Sequence, residues 1–221
     1  ASDVYKRQVD PDVDRLVFVD ERGEMFGEEY TLVACSDYVL SKSPGSIVSN
    51  LSSSRALPDL AKQYGVNHFT SAVGEFHVVE KMKAVKAVIG GEGNGGVIYP
   101  KLHYGRDALV GIALFLSLLA EKKLSISALK NKYTNYVIRK TKINLNNDIK
   151  VDLILKKIAK KFENFNISES DGVKVDFEDS WIHLRKSNTE PIIRLYAEGK
   201  EMDHVDEIIK EFKELIKSYS S

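Results

Sequence analysis

Five of the seven residues from Gly90 to Gly96 are glycine. Glycine surrenders the most conformational freedom in a helix or strand interior, so a run this dense ends an element and makes a loop. The run follows Ala87-Val-Ile89, a short apolar stretch of buried-strand type. Backbone without Cβ can approach a ligand closely and adopt positive φ. The two other residues are Glu92 and Asn94. A carboxylate accepts bonds from two vicinal hydroxyls, and an amide both donates and accepts, so the pair suits a sugar. The Lys-Ser/Thr of a Walker phosphate loop is missing. A mere hinge would use the glycines but has no need of Glu92.

A second loop joins two apolar runs of strand character, Trp181-Ile-His-Leu184 and Ile192-Ile-Arg-Leu-Tyr-Ala197. It holds Arg185, Ser187, Asn188, Thr189 and Pro191, with Arg194 just beyond. Guanidiniums match phosphate oxygens with a planar fork of donors, and hydroxyls and free N–H groups add shorter contacts. Pro191 lacks an N–H and fits a loop leaving towards a strand. The loop reads as an anion clamp; a polar hairpin with two exposed arginines is the plainer reading.

Asp10-Pro-Asp-Val-Asp-Arg15 places carboxylates at alternate positions in a turn. Asp10, Asp12 and Asp14 can converge on one hard divalent cation, and oxygen ligands suit Mg²⁺. An EF-hand is an alternative, because Glu21 falls at its twelfth position. Its sixth position should be glycine and is Arg15, and Leu16-Val-Phe-Val19 reads as a strand. A phosphatase-type Asp-x-Asp nucleophile is another, but it needs an apolar strand before Asp10.

The 221 residues suffice for one large or two small domains. Lys+Arg and Asp+Glu balance at 32 each, so charge argues for neither a nucleic-acid partner nor an acidic membrane surface. The single cysteine, Cys35, excludes an internal disulfide and fits a reducing cytosol. It lies in a helical pattern, as a buried small hydrophobe would. No apolar run approaches the ~20 residues that span a bilayer.

Taken together, the three loops resemble, in order, those of the alpha-D-phosphohexomutases, the family of phosphoglucomutase, phosphomannomutase and phosphoglucosamine mutase. The resemblance runs from about Val9 to the end. It implies that Asp10, Asp12 and Asp14 hold Mg²⁺, with Arg15 near the transferred phosphoryl group. It implies that Glu92 and Asn94 bind the sugar, and that Arg185, Ser187, Asn188, Thr189 and Arg194 bind a phosphate. It also implies reversible exchange of phosphate between positions 1 and 6 of a hexose, through a phosphoserine enzyme and a sugar 1,6-bisphosphate. The partner is then a small hexose phosphate and the location cytoplasmic. Gly96 stands where many members carry a histidine proposed to transfer a proton, so the acid or base is not assigned. Arg106-Asp107 matches a segment that lines the family's cleft, or is a structural ion pair. Val73-Gly-Glu75 matches a loop bordering the sugar site.

No Thr-Ala-Ser-His-Asn-Pro segment of the family's serine loop occurs here. The chain therefore reads as a C-terminal portion, inactive alone; a non-catalytic sugar-phosphate binding module is the alternative. The polar residues 1–8 read as a non-native leader and are set aside. The expected fold is α/β. Residues 9–25 are the remnant of a metal-loop α/β domain. Residues 26–135 form a complete sugar-binding α/β domain with a mixed sheet. Residues 136–221 form an α+β, TATA-binding-protein-like phosphate clamp, which moves as a lid.

The remaining pattern predicts a turn at 20–23, helices at 28–42, 56–64, 76–86 and 125–132, a long apolar helix opened by 103–109 and running to about 121, and strands at 16–19, 47–50 and 68–70. Ser54 is expected to cap the second helix, although an anion contact by the Ser-rich loop is open. His77 is read as solvated or packed rather than catalytic. Residues 140–150 look like a polar domain boundary. A helix at 151–162, strands near Val173, Ile182 and Ile193, and a helix at 202–217 complete the chain.

Overall fold

The computed structural model describes residues 6–144, 150–187, 190 and 192–220. They form two compact units, Ala1–Asn135 and Tyr136–Ser221.

The first unit opens with a hairpin. Strand β1 (Lys6–Val9) pairs antiparallel with β2 (Leu16–Val19), from Lys6↔Val19 to Val9↔Leu16. β1 starts inside the segment that the sequence reading set aside. Lys6, Arg7 and Gln8 are exposed, so this strand is held by its backbone ladder and carries no apolar signal. β2 alternates instead, and its Leu16 and Phe18 are fully buried. Phe18 stacks on Phe115 with centroids 3.7 Å apart. Burial of such a ring stabilises by about 2–3 kcal/mol. The predicted turn follows, with the Gly23 N–H on the Asp20 carbonyl at 3.0 Å and a bridge from Val19 to Met25.

Helix α1 (Glu28–Lys42) begins with Glu28 and Glu29, which complement the helix dipole, and stops at Ser43 before Pro44. A four-stranded sheet follows in the order β4-β3-β5-β6, with β3 (Ile47–Asn50), β4 (His68–Ser71), β5 (Ile89–Glu92) and β6 (Gly96–Ile98). β3 pairs parallel with β4 and β5, and β5 pairs antiparallel with β6, so the sheet is mixed as expected. Helices α2 (Ala56–Gln63), α3 (Glu75–Val85), α4 (Ala108–Lys122) and α5 (Ile126–Lys130) complete the unit.

The glycine run is not the plain loop that the sequence suggested. β5 continues through Gly90, Gly91 and Glu92, and β6 starts at Gly96, leaving a turn at 93–95. Close approach explains it. A Cβ on Gly90 would sit 2.5 Å from Met82 Sδ on α3, and one on Gly91 would overlap the backbone carbonyl of Gly96 on β6, with Leu32 Cδ1 of α1 next at 3.1 Å. Gly90 thus lets α3 close onto the sheet, and Gly91 lets the β5–β6 hairpin close on itself. Asp107 caps α4 by accepting from the Leu109 and Val110 N–H groups at 2.8 and 3.0 Å. The expected cap of α2 by Ser54 is not found: the cap position is Arg55, without a side-chain cap bond, and Ser54 Oγ accepts from Ala56 N at 3.2 Å from one residue earlier.

The second unit is a five-stranded antiparallel sheet in the order β7-β11-β10-β9-β8. The strands are β7 (Val137–Asn144), β8 (Asn166–Ser168), β9 (Val173–Asp176), β10 (Trp181–Lys186) and β11 (Ile192–Gly199). Helices α6 (Val151–Lys161) and α7 (Met202–Ser220) pack on the face lined by Val173, Val175, Ile182, Leu184, Ile193, Leu195 and Ala197. α7 reaches it with Val205, Ile208, Ile209, Phe212 and Ile216, a stripe of helical spacing. The sequence reading missed β7 and β8. It placed a boundary from Lys140, where β7 runs beside β11 as an edge strand.

Candidate functional site

The aspartate loop is a tight turn. Val13 N donates to the Asp10 carbonyl at 3.1 Å, with Pro11 and Asp12 at the corner. Asp10 Oδ1 accepts from Asp14 N at 3.2 Å and from Arg15 N at 3.0 Å, which folds the loop over its own carboxylate. Oxygens of Asp10, Asp12 and Asp14 then lie within 4.8 Å of one another. Asp14 Oδ1 is buried and has no hydrogen-bond partner. Burial and the facing Asp10 carboxylate push the Asp14 pKa upward, against the pull of Arg106. Asp10 moves the other way. Desolvation raises it, but the Arg15 and Asp14 N–H groups and the Asp14 side chain outweigh that. Two facing carboxylates with an orphaned oxygen want a cation between them, and the donor set is that of a hard divalent ion. The residues fit Mg²⁺. Arg15 is half exposed, with Nε 3.6 Å from Asp10 Oδ2 and 3.7 Å from Asp14 Oδ1.

Glu21 is elsewhere. It binds the Ser127 hydroxyl and N–H, and that hydroxyl lowers its pKa to about 2. The EF-hand alternative fails on this placement and on β2.

Glu92, at the end of β5, is 3% exposed. Its Oε1 accepts from Asn50 Nδ2 at 2.8 Å and from Gly74 N at 3.1 Å, and its Oε2 meets Arg106 Nη1 at 3.0 Å. Asn50 Oδ1 in turn accepts from Ser52 N and Ser53 Oγ, which ties the Ser-rich loop to the same carboxylate. Asn94 lies at the turn, where its Oδ1 accepts from Gly96 N at 3.1 Å.

Arg106 joins the two loops. Its Nη2 pairs with Asp14 Oδ2, its Nη1 with Glu92 and its Nε with Glu75 at 3.3 Å, while its backbone N–H donates to Glu75 Oε1 at 2.9 Å. The side chain is 15% exposed. Among these residues it pairs with Asp14, Glu75 and Glu92, not with Asp107, which caps α4 and meets His103 Nε2 at 3.0 Å. Five carboxylates (Asp10, Asp12, Asp14, Glu75, Glu92) thus face two guanidiniums (Arg15, Arg106), an excess of three negative charges suited to a cation. Sequence reasoning singled out Arg106 only as part of a pair with its neighbour. Nothing in the spacing shows that it reaches 14 and 92. His77 is exposed, as anticipated.

In the second unit Arg185 and Arg194 are direct cross-strand partners. Arg185 Nε pairs with Asp171 Oδ2 at 3.1 Å. Lys142 on β7 lies opposite Arg194, so three cations occupy one row across β7, β11 and β10. Ser187 is buried, and its N–H donates to the Ile192 carbonyl at 3.0 Å, closing the hairpin. Asn188, Thr189 and Pro191 lie outside the described residues. The row on the face away from the helices is a surface that could hold an anion.

A mixed α/β unit thus carries an acidic loop beside a glycine hairpin, and an antiparallel unit carries a basic row. Residues 27–136 match the phosphoglucomutase/phosphomannomutase alpha/beta/alpha domain III, and residues 141–215 match that family's C-terminal domain. The chain belongs to the phosphoglucomutase/phosphomannomutase family. It is 34% identical over 204 residues to a phosphoglucomutase/phosphomannomutase of Thermococcus kodakarensis, covering 91% of this chain and 44% of the relative. A crystal structure of a phosphoglucomutase/phosphomannomutase family protein from Burkholderia thailandensis superposes with a TM-score of 0.85 at 27% identity, covering 99% of this chain and 47% of that one. The N-acetylphosphoglucosamine mutase of Aspergillus fumigatus, solved with GlcNAc-6P and magnesium, shares the fold (TM-score 0.72, 15% identity, all of this chain and 50% of that one). A further structure of that enzyme holds glucose 1,6-bisphosphate. The chain spans about half the length of the relatives that it matches.

Proposed function

We propose that this chain supplies the metal, sugar and phosphate sites of a phosphohexomutase, which interconverts the 1- and 6-phosphates of glucosamine, mannose or glucose. The observation that carries the reading is the Asp14–Arg106–Glu92 connection, which brings the acidic loop and the glycine hairpin into one polar cluster. Asp10, Asp12 and Asp14 would hold Mg²⁺, whose charge neutralises a phosphoryl group. Arg15, beside them and half exposed, stabilises charge on that group. Glu92 and Asn94 bind sugar hydroxyls. Arg185, Ser187, Asn188, Thr189 and Arg194 hold the phosphate that is not reacting, so one clamp serves both orientations of the substrate.

Phosphoryl transfer demands mostly positioning and charge neutralisation. A phosphoserine donates its phosphoryl group to the free hydroxyl of the hexose phosphate. The resulting 1,6-bisphosphate turns over, and its other phosphoryl group returns to the serine. No Thr-Ala-Ser-His-Asn-Pro segment is present among the 221 residues. The chain by itself therefore binds and does not turn over. That same fact keeps a second reading in play, a non-catalytic sugar-phosphate binding module.

Coupled assays with glucosamine, mannose and glucose 1-phosphates, each with its 1,6-bisphosphate, test the proposal. The isolated chain is expected to be silent. A longer polypeptide uniting it with an intact serine segment is expected to turn over one of the three. Turnover by the isolated chain would overturn the division of labour, and silence of the longer polypeptide would favour the binding module.

A further inference from the structure

We infer that Arg106 is a positioning residue for the metal loop, linking metal affinity to the state of Glu92. This rests on the metal reading above and goes beyond it, because Arg106 is not itself a ligand.

The geometry is specific. The Arg106 guanidinium takes Asp14 Oδ2, and the carboxylate's other oxygen, Oδ1, is the buried one without a hydrogen-bond partner. One oxygen is thus tied back while its twin is left for an ion. The same planar group donates from Nη1 to Glu92, while Glu75 lies at ion-pair distance from Nε and holds the residue by accepting from its backbone N–H. Its stem is fixed as well. A Cβ on Gly96 would stand 2.6 Å from Arg106 Cδ, so glycine there makes room for the arginine, and Gly96 lies in the hairpin that also carries Glu92. Each of the three nitrogens faces a different carboxylate, although Nε makes no hydrogen bond. A lysine offers a point charge on a flexible stem and cannot reproduce that fork. Groups that orient metal ligands from behind typically change metal affinity 10–100-fold when removed.

Charge and geometry predict opposite results, which makes the inference testable. As a positive charge near the ion, Arg106 opposes metal binding, so losing it would tighten binding. As an orienting fork, it favours binding, so losing the fork would weaken it. Arg106→Lys keeps the charge and removes the fork. Mn²⁺ serves as the probe, titrated into the chain and followed by its electron paramagnetic resonance signal, with thermal unfolding run alongside. Arg106→Lys is expected to raise the Mn²⁺ Kd about tenfold. Glu92→Gln, a change outside the aspartate triplet, is expected to raise it several-fold in the parent chain and to add nothing in Arg106→Lys. Parent-like Mn²⁺ affinity in Arg106→Lys overturns the inference and leaves the metal reading standing. Absence of Mn²⁺ binding by the parent overturns both. Should Arg106→Lys not fold, Glu92→Gln alone decides: unchanged affinity overturns the linkage.

Discussion

Arg185 on β10 and Arg194 on β11 face each other directly across the antiparallel ladder, with Lys142 next in the row on β7. Like charges placed opposite one another destabilise a sheet, typically by a few tenths to 1 kcal/mol. Only Arg185 has a partner carboxylate, Asp171, among the ion pairs of the described residues. An arrangement that opposes folding fits a site that awaits an anion. Millimolar inorganic phosphate should raise the stability of the second unit. Arg194→Gln should raise stability without phosphate by up to about 1 kcal/mol and abolish the response to it. Trp181, the chain's single tryptophan and fully buried in this unit, reports both in denaturant titrations. A phosphate response that survives in Arg194→Gln would count against the clamp.

His183 makes the same unit sensitive to acid. Burial lowers its pKa to about 4, and the charges of Lys174 and Arg185 push the same way, while the Asp171 carbonyl, 2.6 Å from Nε2, and the Asp171 carboxylate oppose them. The folded pKa thus lies below the unfolded value near 6.5. Between the two, the unfolded chain binds more protons, so stability rises with pH across that window and is fully present above it. Falling from pH 7 to pH 4 should remove on the order of 3 kcal/mol. His183→Gln should flatten this part of the profile, as read again from Trp181 emission.

Asp14→Asn should weaken Mn²⁺ binding more than tenfold, since it removes a candidate ligand and the Arg106 counter-charge together. Asp12→Asn should do the same with little change in Tm, because Asp12 is exposed. Isothermal titration would separate the two from a variant at Glu21, which binds Ser127 and should behave as the parent.

Gly95→Ala should destabilise the first unit by on the order of 3 kcal/mol. Gly95 sits at φ +86°, and an added Cβ would overlap the Leu16 carbonyl and backbone nitrogen. Gly65→Ala is the control: φ is again positive, at +64°, but the space is open, so only the backbone strain is felt. Thermal melts of the pair would isolate the overlap.

Cys35 is fully buried in α1, and burial raises its thiol pKa well above the ordinary value. A maleimide should leave it unmodified in the folded chain and label it promptly in denaturant. Rapid native labelling, followed by mass spectrometry, would contradict the packing around α1.

The elements that were legible in the sequence are those whose apolar period matches their burial. α7 is the clearest example, with Val205, Ile208, Ile209, Phe212 and Ile216 along its buried side. β7 was not. Its core-facing set is Val137, Arg139, Thr141 and Ile143, in which Arg139 spans outward to Asp206 on α7 at 2.9 Å, and that charge erases the alternation. β1 was missed because exposed edge residues carry no pattern. β5 was cut short because glycine's low strand propensity was read without the close approach of Met82 and the Gly96 carbonyl that requires it. Arg106 was half-seen for a different reason. Its partners lie 14, 31 and 92 positions away, at Glu92, Glu75 and Asp14, and only the folded chain brings them together.

The backbone of Leu16 donates to the Gly95 carbonyl at 3.0 Å, and its own carbonyl receives the Thr31 hydroxyl. Cutting the polypeptide just ahead of residue 27, where the family domain begins, would strip Phe18 from Phe115 and uncover the glycine hairpin. Leu16–Val19 is therefore a wall of the neighbouring domain, and any attempt to dissect the protein at that seam should yield an aggregating remainder.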